Sequence, residues 1–283
     1  VFQAQEKSDE ALHVFNEALE VYKINLGEES PAIAKCHGLI GEVYDGQRET
    51  SKAISRYKMA IEMYTVLSRA AADIQNVALK KSDQMFHVST LHKLASALDR
   101  SGDTNGAVKT YSNAMQLNKE IMCGTDNLFA ADLFENLANL RGRQNKFDKA
   151  FVLLKEALQI RTDILGPHDL SIASTLYSLG IVYDNIQESD AALRAFVEAL
   201  DVYQRNLGSE NVQCADLFAA IGTTFGNSGD LNSAIGNWRA ARDIYTVTLG
   251  YLKDNPKVVA LNNKEEEASR LLSIKKTDWN IFR

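Results

Sequence analysis

Proline is scarce in this 283-residue chain, with three residues in all. Proline removes a backbone donor and crowds the preceding turn, so its scarcity leaves long stretches free to be helical. Cysteine is as sparse. Cys36, Cys123 and Cys214 are odd in number, far apart and without a CxxC spacing. That argues against a disulfide framework or a zinc site and makes a reducing, cytoplasmic compartment the default expectation. Basic charge is not in excess. The formal net charge is −6, whereas general nucleic-acid binders carry a basic surplus. No apolar run reaches membrane-spanning length. No secretory leader pattern is visible, in a chain that opens on Val1 rather than Met.

Catalytic patterns are missing as well. There is no GxGxxG, no phosphate-binding loop and no GxSxG. Of the five histidines only His87 and His92 stand close, and five residues is poor spacing for two ligands on one helix face. His37 occupies a packing position that holds Leu91, Phe134, Leu176 and Phe218 elsewhere, so it reads as a histidine at the edge of the core. These absences predict a protein that is not an enzyme and has no cofactor or metal site.

What the chain does contain is ordinary for a soluble fold, with 45% apolar and 24% charged residues. Its organisation is not ordinary. The pattern Ala-x-x-x-bulky-x-x-Ala begins at Ala11, Ala53, Ala107, Ala150, Ala192 and Ala234, with steps of 42, 54, 43, 42 and 42. The bulky residue is Phe15, Tyr57, Tyr111, Leu154, Phe196 or Trp238. Twelve residues ahead of each alanine from Ala53 onward stands Gly41, Ala95, Ala138, Gly180 or Gly222. The spacing is helical rather than alternating. Each unit therefore reads as two amphipathic helices that cross closely at a small residue.

The connectors carry matching punctuation. Ser101-Gly102-Asp103 and Ser228-Gly229-Asp230 place a helix-ending Gly before a helix-capping Asp. Leu-Gly at Gly27, Gly166, Gly208 and Gly250 ends four of the second helices and is absent over 65–86, and Pro31 suits the first turn of the helix after Gly27. A helix pair of this size buries its apolar face only by stacking on neighbours, so the units must form a solenoid.

Leu/Ile-Gly/Ala-x-x-Tyr followed by Ala-x-x-x-Phe-x-x-Ala resembles the tetratricopeptide repeat. Segments such as AFVLLKEALQIRTDIL and NLGEESPAIA are similar to its kinesin-light-chain-like subclass of 42-residue repeats. The resemblance covers nearly the whole chain. It implies an all-α fold, a right-handed superhelical solenoid of antiparallel helix pairs. It also implies a protein-interaction scaffold or adaptor that binds a protein or peptide partner in the concave groove. Two alternatives stand beside it: a structural subunit of a large assembly, and a regulatory repeat region of a longer enzyme or signalling protein. The Leu-x-Asn-Leu-Ala motif of that subclass is kept only at Asn136-Leu137-Ala138.

In such folds the first helix of each pair lines the groove. Carried over position by position, the candidate groove residues are His92, Lys93, Ser96, Arg100, Asn136, Asn139, Arg143, Tyr177 and Asn185. Asp216, Thr223 and Asn227 continue the series. The central donors suit backbone carbonyls or carboxylates of an extended peptide.

The irregular places are the ends and one joint. Phe2 precedes Ala11 by the offset that Tyr44 has from Ala53, which predicts that the first repeat is truncated, with a helix upstream. A polar capping helix is expected over 256–274 and a tail over 275–283, the latter containing Trp279 and Phe282. The solenoid itself is expected over 1–274, about six repeats. The 54-residue step is 12 longer than its neighbours, which predicts that the second helix of that repeat runs on through 65–80, with Ser82 or Asp83 capping the next.

Overall fold

The computed structural model describes residues 2–73, 79–123, 127–248 and 255–281. Among them the fold is all-α, with twelve helices and no strand. The order is α1 (Phe2–Leu26), α2 (Pro31–Gly46), α3 (Thr50–Asp73), α4 (Lys81–Arg100), α5 (Thr104–Ile121), α6 (Leu128–Arg143), α7 (Phe147–Leu165), α8 (Leu170–Asn185), α9 (Ser189–Leu207), α10 (Val212–Ser228), α11 (Leu231–Thr248) and α12 (Pro256–Ile281). The chain divides into two compact units, Val1–Leu140 and Arg141–Arg283.

Within each unit consecutive helices pack as pairs, and first helices also meet: α2 with α4 in one unit, α8 with α10 in the other. The close crossings read from the sequence are present. A methyl group built on Gly41 would lie 2.6 Å from the Tyr57 ring, on Gly180 2.4 Å from Phe196, and on Gly222 2.6 Å from Trp238. The alanine–bulky–alanine triads are buried in every second helix from α3 to α11. In α1 the equivalent Ala11, Phe15 and Ala18 are only half-buried. Phe2 does not end a separate helix, because α1 is continuous from Phe2.

The joints follow the expected chemistry and add to it. At the first, Gly27 adopts φ +78°. Pro31 opens α2, and the Ser30 hydroxyl accepts from the Ile33 amide at 3.3 Å. Asp103 caps α5 by accepting from Gly106 N at 2.8 Å. Gly250 lies outside the described residues. Ser82 and Asp83 are not caps, because Lys80 takes that place without a side-chain bond and Asp83 sits in the first turn of α4. The helix expected through 65–80 is described to Asp73, and residues 74–78 lie outside the described set. The terminal helix runs on to Ile281 rather than ending at Ile274.

One regularity of the joints has no single residue type as its signature. Arg48, Gly102, Asn145, Gln187 and Gly229 share one repeat position and all have positive φ, from +56° to +90°. The following amide reaches back five residues in each repeat, as in Glu49 N to Tyr44 O and Glu188 N to Tyr183 O, both 2.9 Å. This is the bond of a helix-ending Schellman motif. Only two of the five positions carry the glycine that announces it.

Candidate functional site

The first-helix face of the Val1–Leu140 unit holds most of the predicted central donors, and their hydrogen-bonding capacity is largely taken up inside the fold. Lys93 on α4 pairs with Glu42 on α2, and Arg100 pairs with Asp45. Arg100 also donates to Ser96 Oγ at 2.8 Å. The His92 ring stands edge-on to Phe129 at 5.5 Å and tilted to Tyr111 at 5.7 Å. Burial depresses its pKa, with Asp132 acting the other way and Lys93 adding to the fall, so His92 is neutral at physiological pH. Asn136 Nδ2 lies 3.3 Å from His92 Nε2 and donates to Asp132 O at 2.8 Å. Asn139 is exposed. Arg143 is exposed as well and belongs to the other unit.

The first-helix face of the Arg141–Arg283 unit is built differently. Here α8, α10 and α12 line a cleft of about 360 Å³. Its apolar lining includes Tyr177, Ile181, Ala219, Ala220 and Leu261. The Tyr177 ring is braced on Phe196 at 5.8 Å. Asn185 is exposed and bonded to Ile181 O at 2.8 Å, outside the cleft lining.

Charges punctuate this lining. Asp216 accepts from the Tyr245 hydroxyl and from Lys257 Nζ, whose ammonium stands 4.9 Å over the Tyr245 ring. Burial, then the bond to Asp216, drives the Tyr245 pKa upward, so the hydroxyl stays a donor. Lys264 Nζ donates to Thr223 Oγ1 at 2.9 Å and sits over Trp238 at 5.6 Å, with no carboxylate partner among the described residues. Asp184 Oδ2 accepts from Asn227 Nδ2 at 3.1 Å, while its Oδ1 is buried without a hydrogen-bond partner among the described residues.

Tyr177, Asp216 and Thr223 were legible as groove positions. Asp184, Lys257, Lys264 and Tyr245 were missed. Extending the 42-residue step into the last helix finds two of them, since Lys264 follows Gly222 and Lys257 follows Ala215 by that interval. No group of three or more His, Cys, Asp or Glu side chains able to hold a metal occurs among the described residues. No helix among them is long and apolar enough to cross a membrane.

Comparison with known proteins fits this geometry. A tetratricopeptide repeat family model matches residues 1–65, 86–163 and 129–205. The chain belongs to the tetratricopeptide repeat family. No curated protein matches it in sequence. Among solved structures it is similar to BtubC (BKLC) from P. vanneervenii, at 21% identity over 89% of this chain and 94% of that one, with a TM-score of 0.69. It is also similar to the nearly identical kinesin-light-chain TPR-like repeats of P. anserina, at 15% identity over 78% and 98%, with a TM-score of 0.58. A third is YrrB, described as a TPR protein with an unusual peptide-binding site, at 17% identity over 88% and 97%, with a TM-score of 0.54. At these identities the likeness is one of fold: tetratricopeptide repeats of kinesin-light-chain-like architecture.

Proposed function

We propose that this tetratricopeptide repeat protein is a non-enzymatic interaction scaffold, and that it receives an extended partner segment in the cleft lined by α8, α10 and α12. The observation that carries this reading is the cleft itself. It combines apolar lining from Tyr177, Ile181 and Leu261 with Asp184 and Lys264, two opposite charges that no counter-ion among the described residues neutralises. An apolar floor with a few fixed polar groups is the usual make-up of a recognition site. Extended segments gain affinity from side-chain pockets and fixed polar partners. The peptide-binding site described for YrrB supports the reading by fold alone.

The test is capture of partners from a cell lysate by the intact chain, set beside Ala220→Trp, which fills the cleft, and Asn136→Ala/Arg143→Glu. Partners lost on the first variant and kept on the second support the cleft. Equal recovery on all three contradicts it.

A second reading, docking into a larger assembly, is favoured by one observation. The end of α1, the start of α2 and the far end of α3 enclose an apolar cleft of about 560 Å³ lined by Leu26, Pro31, Leu67, Ala70 and Leu79. It lies at the joint where the 12 extra residues fall. Leu67→Asp would abolish assembly on this reading and leave peptide capture intact.

A further inference from the structure

The repeat permits comparison of equivalent positions. Asp184 and Asn227 stand where Asp45 and Arg100 stand, each pair linking one first helix to the next. In the first case the carboxylate receives a guanidinium. In the second it receives a neutral amide, and one oxygen is left unpartnered. An unmet buried acceptor is unfavourable, and this carboxylate pairs with no cation among the described residues, so a cation from outside has something to offer there. The Glu42–Lys93 ion pair likewise has Ile181 and Ala220 at its equivalent positions, which turns a charged rung into apolar floor.

We infer that the cleft selects an extended peptide with a basic side chain for Asp184 and an acidic one for Lys264, two residues apart. This rests on the reading of the cleft as the partner site. The spacing follows from α10. Asp184 is held by Asn227 and Lys264 by Thr223, four residues apart on one helix face. Such neighbours lie about 5–6 Å apart at Cβ. An extended chain rises about 3.3 Å per residue and returns to the same face every second residue, so a basic-x-acidic pair spans about 6.6 Å. The middle side chain points away from the cleft and is unconstrained. The basic residue takes the role that Arg100 plays for Asp45.

A random heptapeptide library displayed on phage and selected on the full chain tests this. The expected outcome is enrichment of basic-x-acidic sequences. A labelled heptapeptide bearing Arg-Ala-Glu then binds at least tenfold more weakly to Asn227→Arg, which supplies the cation internally, and to Lys264→Glu. Lys264→Glu prefers the Arg-Ala-Lys peptide instead. Asn227 and Lys264 are exposed, so both variants keep the fold, which circular dichroism verifies. Enriched peptides without opposed charges that are still lost on Ala220→Trp overturn this inference and leave the cleft reading standing. Peptides that bind Ala220→Trp as well as wild type, or no enrichment at all, overturn both.

Discussion

Two first-helix faces of the same fold spend their charges in different ways. In the Val1–Leu140 unit, Glu42–Lys93 and Asp45–Arg100 join α2 to α4, and His92 on that face is held neutral by burial. In the Arg141–Arg283 unit, the equivalent positions carry Ile181, Ala220, Asp184 and Asn227, and α12 brings Lys264 to the cleft without a counter-ion among the described residues. The lesson is that polar residues at groove positions are not by themselves a binding site. What matters is whether the neighbouring repeat has already satisfied them.

The frame beneath the second face breaks most severely at its crossing. Gly180→Val places a side chain where even a methyl group would be 2.4 Å from Phe196, so overpacking should cost about 3 kcal/mol. A urea-melt midpoint reads it, and a loss below about 1 kcal/mol would mean the crossing relaxes freely.

Acid should act on the first unit through His87. It is buried and stacked on Tyr64 at 5.2 Å, and burial lowers its pKa to about 4. The folded state therefore binds the proton less readily than the unfolded state. Stability from keeping this ring neutral is present above about pH 6.5 and is lost as pH falls from there toward 4, by roughly 2–3 kcal/mol. Melts of wild type and His87→Phe from pH 7.5 to 4.5 should diverge in that window. Parallel curves would refute it.

Conformational strain offers a smaller effect. Gln187 holds φ +65° where Gly102 and Gly229 stand in other repeats. Gln187→Gly should stabilise by about 1 kcal/mol, because the left-handed conformation costs roughly 1–2 kcal/mol in a residue with a Cβ. An unchanged melting temperature would count against strain at this joint. Smallest of all is the charge rung itself. Arg100→Asn makes the first face resemble the second and should cost only about 0.2–1 kcal/mol, since the pair is half-exposed.

Most of the fold was readable because repetition amplifies weak signals. Six alanine–bulky–alanine triads fix the helix pairing better than any one segment does. The left-handed turns at Arg48, Asn145 and Gln187 were not readable, because the structure imposes there a conformation that those residue types do not advertise. The candidate site was half legible. Periodicity located the groove positions Tyr177, Asp216 and Thr223, but it could not tell that Lys93 and Arg100 meet partners 51 and 55 residues earlier. Lys264 escaped because a run of charge in a terminal helix reads as a solvated cap until the neighbouring helix is seen beside it.

The central claim is that the open charges of the second face, not the paired charges of the first, engage a partner. Its most direct test is the affinity of the Arg-Ala-Glu heptapeptide, by fluorescence anisotropy, for the full chain, for Lys93→Ala/Arg100→Ala and for Asp184→Asn/Lys264→Gln. The account predicts wild-type affinity for the first variant and at least a tenfold loss for the second. Loss confined to the Lys93→Ala/Arg100→Ala variant would contradict it.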